Sequence, residues 1–369
     1  MQKKGVRIIN MFLAGLFYFA LCFAPSVKVF AHFAVFKIIV DGKEFCYYPP
    51  QLDYSLSGAN LLGLDGIIED IVLSTKTPAK DAVLIFNPQN EENPFEIVKE
   101  KSGKIVNEKK LRARIEFALD SGKNTVKINT ENYLPQITYE TLKKQTFLRA
   151  EFSTAYPYSS NERKNNIALA VSFINGAKIE PNQTFSFNER VGIRSEERGF
   201  LNAKVILEGQ FTDGVGGGVC QVSSTLYNAV LKAGLKVKES HQHSLVVDYV
   251  QPSFDAMVSD FFADLKFVNV CDFPVYILGK ADGQKITFKI YGEQTKFRYE
   301  LVSCVNEIIE AKNTVVKRQS NDEVNVRPKN GLKSEGYLYV YQGDTLLEVK
   351  RLRKDSYKAI DGITYVEEE

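Results

Sequence analysis

The 369-residue chain contains no tryptophan, three histidines and five cysteines. With imidazole confined to His32, His241 and His243, proton-transfer chemistry near neutral pH has very few places to occur. Neither sign of charge dominates. Lys and Arg number 47 against 45 Asp and Glu, a net charge of +2, so no basic surplus points to a nucleic-acid partner. Internal repeats and low-complexity runs are also missing. The remaining composition, 44% hydrophobic and 25% charged, excludes a disordered, collagen-like or polytopic membrane chain. At about 100–200 residues per domain, the length predicts two or three domains.

Long apolar runs are scarce, and the one present lies at the start. Lys3, Lys4 and Arg7 precede an apolar stretch from Ile8 to Ala24 broken only by Asn10, which reads residues 1–31 as an export signal or membrane anchor. Val29-Phe30-Ala31 suits cleavage after Ala31, while the 17-residue run, Asn10 included, also reaches the lower limit for spanning a bilayer core. Both outcomes put the body outside the cytoplasm, secreted or anchored at the cell envelope, with membrane contact through the N-terminal segment if it is retained. Cys22 follows Leu21, which is too large for a lipoprotein processing site. Disulfides are permitted in that compartment. Cys46, Cys220, Cys271 and Cys304 can pair in three ways, with Cys271–Cys304 a conceivable bridge in a β-rich region.

The expected fold class is α+β and multidomain. Residues 34–150 form a small α/β module, with strands at Phe36–Val40, Ala82–Phe86 and Thr125–Asn129 and a helix from Asn107 to Ser121-Gly122. Residues 151–280 form a mixed α+β centre, with a further helix at Ile167–Ile174 ending at Asn175-Gly176. Residues 281–369 form a region rich in β-hairpins, to which Val275–Leu278 leads. Strands Val275–Leu278 and Ile286–Tyr291, and Tyr337–Tyr341 and Leu346–Val349, flank turn-forming residues. The Arg351-Leu352-Arg353-Lys354 run reads as a solvated strand edge or as a patch for anionic wall polymers.

The chemistry concentrates at Gly214-Val215-Gly216-Gly217-Gly218-Val219-Cys220-Gln221. Four glycines in five positions permit unusual backbone and close approach. Val222, Leu226, Ala229, Val230 and Ala233 then recur with helical spacing, and Gly234 stops the helix. Cys220 therefore opens a helix, where free N–H groups and the dipole favour a thiolate. A helix of this length runs about 20 Å away. The Leu235–Ser240 stretch, extended at about 3.3 Å per residue, returns the chain and delivers His241-Gln242-His243-Ser244 to the cysteine. On a strand His241 and His243 share a face, with Asp248 or Asp264 as the residue that orients an imidazole. Gly217, Gly218 and Gln221 are expected to line the substrate, and the N–H groups of Gly218–Cys220 to hold an oxyanion. Three further readings stand beside this one: a zinc site on Cys220, His241 and His243, a structural cysteine, and a ligand-binding site without turnover. Ser223, Ser224 and Thr225 fall inside the helix, where hydroxyls bond back to the backbone.

The stretch Thr184-Phe185-Ser186-Phe187-Asn188-Glu189-Arg190-Val191-Gly192, then Arg194, Glu196-Glu197-Arg198-Gly199-Phe200, the Gly214–Tyr227 run and His241-Gln242-His243-Ser244 together resemble the VanW family. Ser153-Thr154 and Asn166 resemble it as well. One departure is Phe261-Phe262, where the family pattern leads one to expect glycine. The preceding residues are similar, more weakly, to a peptidoglycan-binding module that often precedes VanW domains. The resemblance implies an extracytoplasmic, envelope-associated protein of Gram-positive type, with peptidoglycan or its stem peptides as partner. It supplies no reaction and no cofactor. A Cys/His enzyme acting on peptidoglycan peptide bonds is one reading, in which Arg190 or Arg194 grips a substrate carboxylate. A non-catalytic wall-binding scaffold is the other. For the charged residues around those arginines, a surface ion-pair network is the plainer account.

Overall fold

The computed structural model describes residues 35–48, 62–207, 210–318 and 325–366. The expected export segment, with Cys22 and His32, lies outside them. Among the described residues, no helix is long and apolar enough to cross a membrane. The chain is mixed α+β, with several small sheets, and it divides into two compact units.

The first unit comprises the described parts of 1–79 and 102–134. Phe36–Val40 is its central strand, antiparallel to Lys43–Tyr47 and parallel to Thr125–Ile128. The strand forms where expected and turns Phe36, Ile38 and Val40 inward. Asp41 and Gly42 both take positive φ, as a two-residue hairpin turn requires. Two helices, α1 (Leu62–Thr75) and α2 (Glu108–Asp120), contribute Leu64, Ile68, Ile71, Leu111 and Ile115 to the core under that sheet. The predicted start of α2 is exact to the cap: Asn107 accepts a hydrogen bond from the Lys110 N–H at 3.1 Å.

The second unit comprises residues 80–101 and 135 onward. This differs from a module over 34–150. The Val83–Phe86/Phe95–Val98 hairpin packs Phe86 and Phe95 onto Tyr276 and Tyr291, which draws that segment into the second unit. The central sheet runs Phe147–Ala155, Lys285–Gly292, Val275–Ala281, Ala177–Ile179, antiparallel throughout. Residues beyond 281 are thus woven into the centre rather than set apart. Four helices follow in order: α3 (Tyr139–Lys143), α4 (Asn161–Ile174), α5 (Phe187–Val191) and α6 (Val219–Lys232). Helices α4 and α6 bury Ile167, Val171, Val222, Leu226 and Val230 against Ile277, Ile286 and Phe288 of the sheet.

Helix α6 is buried nearly all round, so it reads as core rather than as a surface helix. Its polar residues are satisfied internally. Ser224 and Thr225 donate to the carbonyls of Cys220 and Gln221 at 2.7 and 2.6 Å, as expected for hydroxyls inside a helix. A second sheet, Thr184–Ser186, Lys266–Val268, Lys236–Glu239, carries the chain back from α6. Phe185 and Phe187 are both core residues. The C-terminal sheet runs Phe297–Ile309, Gly331–Gln342, Thr345–Tyr357, the predicted hairpin being longer than its sequence signal. Cys46, Cys220, Cys271 and Cys304 are all free thiols. The Cys271–Cys304 bridge does not form, because Cys304 is exposed on its strand while Cys271 packs against the main core.

Candidate active site

Gly217 and Gly218 make the approach to Cys220 possible. A Cβ on Gly217 would sit 2.7 Å from the Lys204 carbonyl oxygen, so only glycine lets the turn press against the Asn202–Leu207 strand. Gly218 has φ of +108°, and a Cβ there would meet Arg163 and Ile167 at 3.0 Å. The buried Asn166 side chain pins this turn. It donates to the carbonyls of Gly217 and Leu201 at 3.0 and 2.8 Å and accepts from the Leu201 N–H at 2.7 Å. Gly218 caps α6, and Cys220 follows as its second residue, half-buried, where first-turn N–H groups lack helical partners. The Val219 N–H is already bonded to the Gly216 carbonyl at 3.1 Å, which removes it from the expected oxyanion donors.

The chain returns through Lys236–Glu239 as predicted, but it does not stay extended through the histidines. His241 makes an isolated bridge to Met257, and its Nε2 lies 3.0 Å from Glu239 Oε1. His243 turns inward instead to the Cys220 thiol, with which it interacts electrostatically, while the thiol donates to the Val258 carbonyl at 3.4 Å. Of the two histidines, only His243 therefore reaches the sulfur. A zinc site on Cys220, His241 and His243 does not assemble. Among the described residues, no three His, Cys, Asp or Glu side chains converge as metal ligands.

Asp255 orients the imidazole. Its Oδ2 lies 2.7 Å from His243 Nδ1 and accepts the His243 backbone N–H at 2.6 Å, leaving Nε2 for the cysteine. The expected third member, Asp248, is exposed and paired with Lys329 at 3.0 Å. Asp264 is also displaced: its carboxylate accepts from Ser186 and the Asn188 N–H at the start of α5. Asp255 is 1% exposed, and Arg353 and Tyr357 hold its other oxygen at 3.0 and 2.6 Å. This corrects the reading of the Arg351–Lys354 run. Thr345–Tyr357 is indeed a sheet edge, yet Arg353 turns inward.

These contacts set the ionisation of all three groups. Burial opposes a charge on Asp255, but His243 and Arg353 hold its pKa down at about 2. Burial also opposes protonation of His243, yet its hydrogen bonds to Asp255 and Cys220 raise its pKa to about 9. For Cys220, burial is outweighed by the hydrogen bond and charge of His243, with help from Arg194, and the thiol pKa falls below its ordinary value.

Residues 162–291 match the family described as VanW like protein. Over these residues the chain carries a VanW-like domain. An uncharacterised protein of Bacillus subtilis strain 168, YoaR, is 36% identical over 171 residues, 46% of this chain and 56% of YoaR. The vancomycin B-type resistance protein VanW of Enterococcus faecalis strain ATCC 700802 / V583 is 28% identical over 135 residues, 35% of this chain and 49% of that protein. The chain thus spans about half the length of the curated relatives it matches. No solved structure matches it.

In the VanW domain the thiol opens onto a groove of about 1150 Å³, lined among others by Arg163, Arg194, Gly217, Gly218, Gln221 and Tyr249. The arginines do not take the places expected of them. Arg190 is exposed and donates through Nε to the Phe173 carbonyl at 2.7 Å, away from this groove. Arg194 lines the groove, but Asp260 already pairs with it and Asn188 Oδ1 accepts from it at 2.6 Å. Among the described groove residues, Arg163, from the first turn of α4, is a part-buried cation with no carboxylate paired to it, and the exposed Lys358 at the rim has none either. Arg163 donates to Ser159 Oγ and Gln221 Oε1, both at 2.7 Å, and burial lowers its pKa. Gln221 is consumed in holding it. Its amide nitrogen is bonded to Thr154 and to the Ala155 carbonyl, each at 3.0 Å. Sequence reasoning missed Arg163 because Asn161-Glu162-Arg163-Lys164 looks like the solvated start of a helix.

Proposed function

We propose that this chain is an extracytoplasmic cell-envelope enzyme that cleaves or transfers peptide bonds of peptidoglycan stem peptides through Cys220. A single observation carries the reading: a half-buried thiol at a helix start, facing a histidine that a buried carboxylate aims at it, on the wall of an open groove. The VanW resemblance and the charged, then apolar, N-terminal sequence support this reading of the compartment and the polymer.

In the proposed reaction the pair rests as Cys220 thiolate and His243 imidazolium, the ion pair that the opposed pKa shifts favour. The sulfur attacks the peptide carbonyl carbon, and the first-turn N–H of Cys220 faces the developing oxyanion. As the C–N bond breaks, His243 Nε2 gives its proton to the departing amine, leaving a thioester on Cys220 and a neutral imidazole. An incoming amine or water then attacks the thioester. His243 takes its proton, and the thiolate leaves, which restores the starting pair. Asp255 keeps the imidazole in one tautomer throughout. Arg163 receives a carboxylate of the stem peptide, the role expected of Arg190 or Arg194, because its guanidinium lines the groove beside Cys220 with no carboxylate paired to it.

Purified protein incubated with muropeptides, beside a Cys220→Ala variant, tests this. Turnover by the parent alone, with a mass increment trapped on Cys220, is the expected result. Equal product from both proteins, or none from either, overturns it.

A further inference from the structure

The family match ends at residue 291, yet the carboxylate that aims His243 is held by residues sixty positions beyond it. We infer that Arg353 and Tyr357, at the end of the C-terminal strand Thr345–Tyr357, are positioning residues for the reaction proposed above, fixing Asp255 so that His243 points at Cys220. The inference rests on that reading for its reaction, but its geometry is independent of the substrate.

The two oxygens of Asp255 have separate duties. Oδ2 serves His243 alone, through the backbone N–H at 2.6 Å and ring Nδ1 at 2.7 Å. Oδ1 accepts the Tyr357 hydroxyl at 2.6 Å and an Arg353 nitrogen at 3.0 Å, while a second Arg353 nitrogen donates to the Asp255 backbone carbonyl at 2.6 Å. The carboxylate cannot rotate without breaking bonds on both sides. Both anchors are themselves fixed. Asp355 accepts two Arg353 nitrogens at 2.7 and 3.0 Å, and the Tyr357 hydroxyl accepts the Ser253 N–H at 2.8 Å.

The same strand end also grips the histidine loop on each side of His243. The Gln242 amide donates to the Ser356 carbonyl at 2.8 Å, and the Lys358 N–H donates to the Ser244 carbonyl at 2.8 Å. The loop is therefore clamped at 242, 244 and, through Asp255, at 243. A strand that merely covered the core would have no need to bond both neighbours of one histidine and both ends of its carboxylate partner. The C-terminal sheet thus works as part of the site.

Full-length Tyr357→Phe, Arg353→Lys and Arg353→Gln proteins test this by the rate of Cys220 alkylation with iodoacetamide against pH, with the downfield imidazole N–H resonance of His243 as a second readout. With Asp255 loosened, the imidazolium loses its partner and the thiol becomes harder to ionise. Tyr357→Phe is expected to slow alkylation about tenfold near pH 6.5, equivalent to about one unit in the thiol pKa. It should also broaden the imidazole signal and lower kcat on muropeptides with KM unchanged. Arg353→Lys should retain more of the parent's profile than Arg353→Gln. If Arg353→Gln fails to fold, Tyr357→Phe decides, since it deletes one hydroxyl and keeps the ring. A folded Tyr357→Phe protein with the parent's alkylation profile and imidazole signal overturns the inference, whatever its melting temperature. A shifted profile in a protein whose parent turns over no muropeptide leaves the positioning role standing and sinks the reaction instead.

Discussion

Two regions build the site, and they do so in opposite ways. The start of α6 is local: a glycine turn, a cysteine and a periodic apolar helix follow one another within some twenty residues. The setting of His243 is assembled from afar, since Asp255 meets Arg353 across 98 positions and Tyr357 across 102. The first region makes a thiol accessible; the second decides whether it ionises. A nucleophile can be placed by a turn and a helix dipole, whereas a base has to be aimed, and aiming needs bonds from several directions at once.

The largest effect should fall on the distant half. Asp255→Asn preserves the shape but removes the acceptor that fixes the His243 tautomer, and kcat on muropeptides is expected to fall by about 10³–10⁴. Asp248→Asn is the control, because that carboxylate is exposed and bonded to Lys329. It should leave Cys220 alkylation within about twofold of the parent. Similar losses from both substitutions would break the comparison between the two regions.

Next in size is the difference between two histidines two residues apart. His243→Gln removes the hydrogen bond and charge that hold the Cys220 pKa down, so the burial that opposes ionisation prevails and the thiol pKa rises. Alkylation near pH 7 should drop by about tenfold or more. His241→Gln should change it little, since that ring pairs with Glu239. The alkaline limb carries the opposite sign. His243 must be protonated to release the amine, so turnover by the parent should decline as pH rises through about 9. A decline centred near an ordinary imidazole value would show that Asp255 does not support the ring.

These contrasts also mark what the sequence could express. Helix α2 with its Asn107 cap, the Thr125–Ile128 alternation, helix α6 and the Val275–Ala281/Lys285–Gly292 hairpin were legible because each is a periodic or capping signal within a short window. Cys220 and His243 were legible because glycine clusters and histidines are rare here. Asp255 was not, since one carboxylate among 45 acidic residues carries no local mark. The guess of Asp248 followed proximity in sequence; the chain instead turns at Pro252-Ser253 and brings Asp255 back under His243. His241 was misjudged because strand geometry was assumed to persist past Glu239.

A smaller effect sharpens the substrate side. Arg163→Gln should raise KM for a stem peptide bearing a free carboxylate by about 10–100-fold, the scale of a charge-assisted hydrogen bond, and leave a peptide amide unaffected. Arg190→Gln should do neither. Asn166→Ala probes the local half, removing a buried amide with one bond to the Gly217 carbonyl and two to Leu201. It is expected to cost about 2 kcal/mol of folding stability, read by denaturant midpoint at unchanged slope.

The smallest expected effect tests whether the distant half is as selective as its geometry implies. Arg351 and Arg353 stand two apart on one edge strand, in a run that reads as uniformly solvated. Arg351 is exposed and meets Glu335 at 3.4 Å, a surface pair that water screens. Arg353, by contrast, sits among Asp255, Asp355 and the face of Tyr227. Two successive side chains on one face of a pleated strand would ordinarily share a fate, but a register shift between Gly336 and Tyr337 on the neighbouring strand separates the partners of these two. Arg351→Ala should therefore leave stability within about 0.5 kcal/mol and the alkylation profile of Cys220 unmoved. A measurable shift in that profile would mean that the whole charged edge biases the thiol through its field, and the aimed contact at Arg353 would lose its special standing.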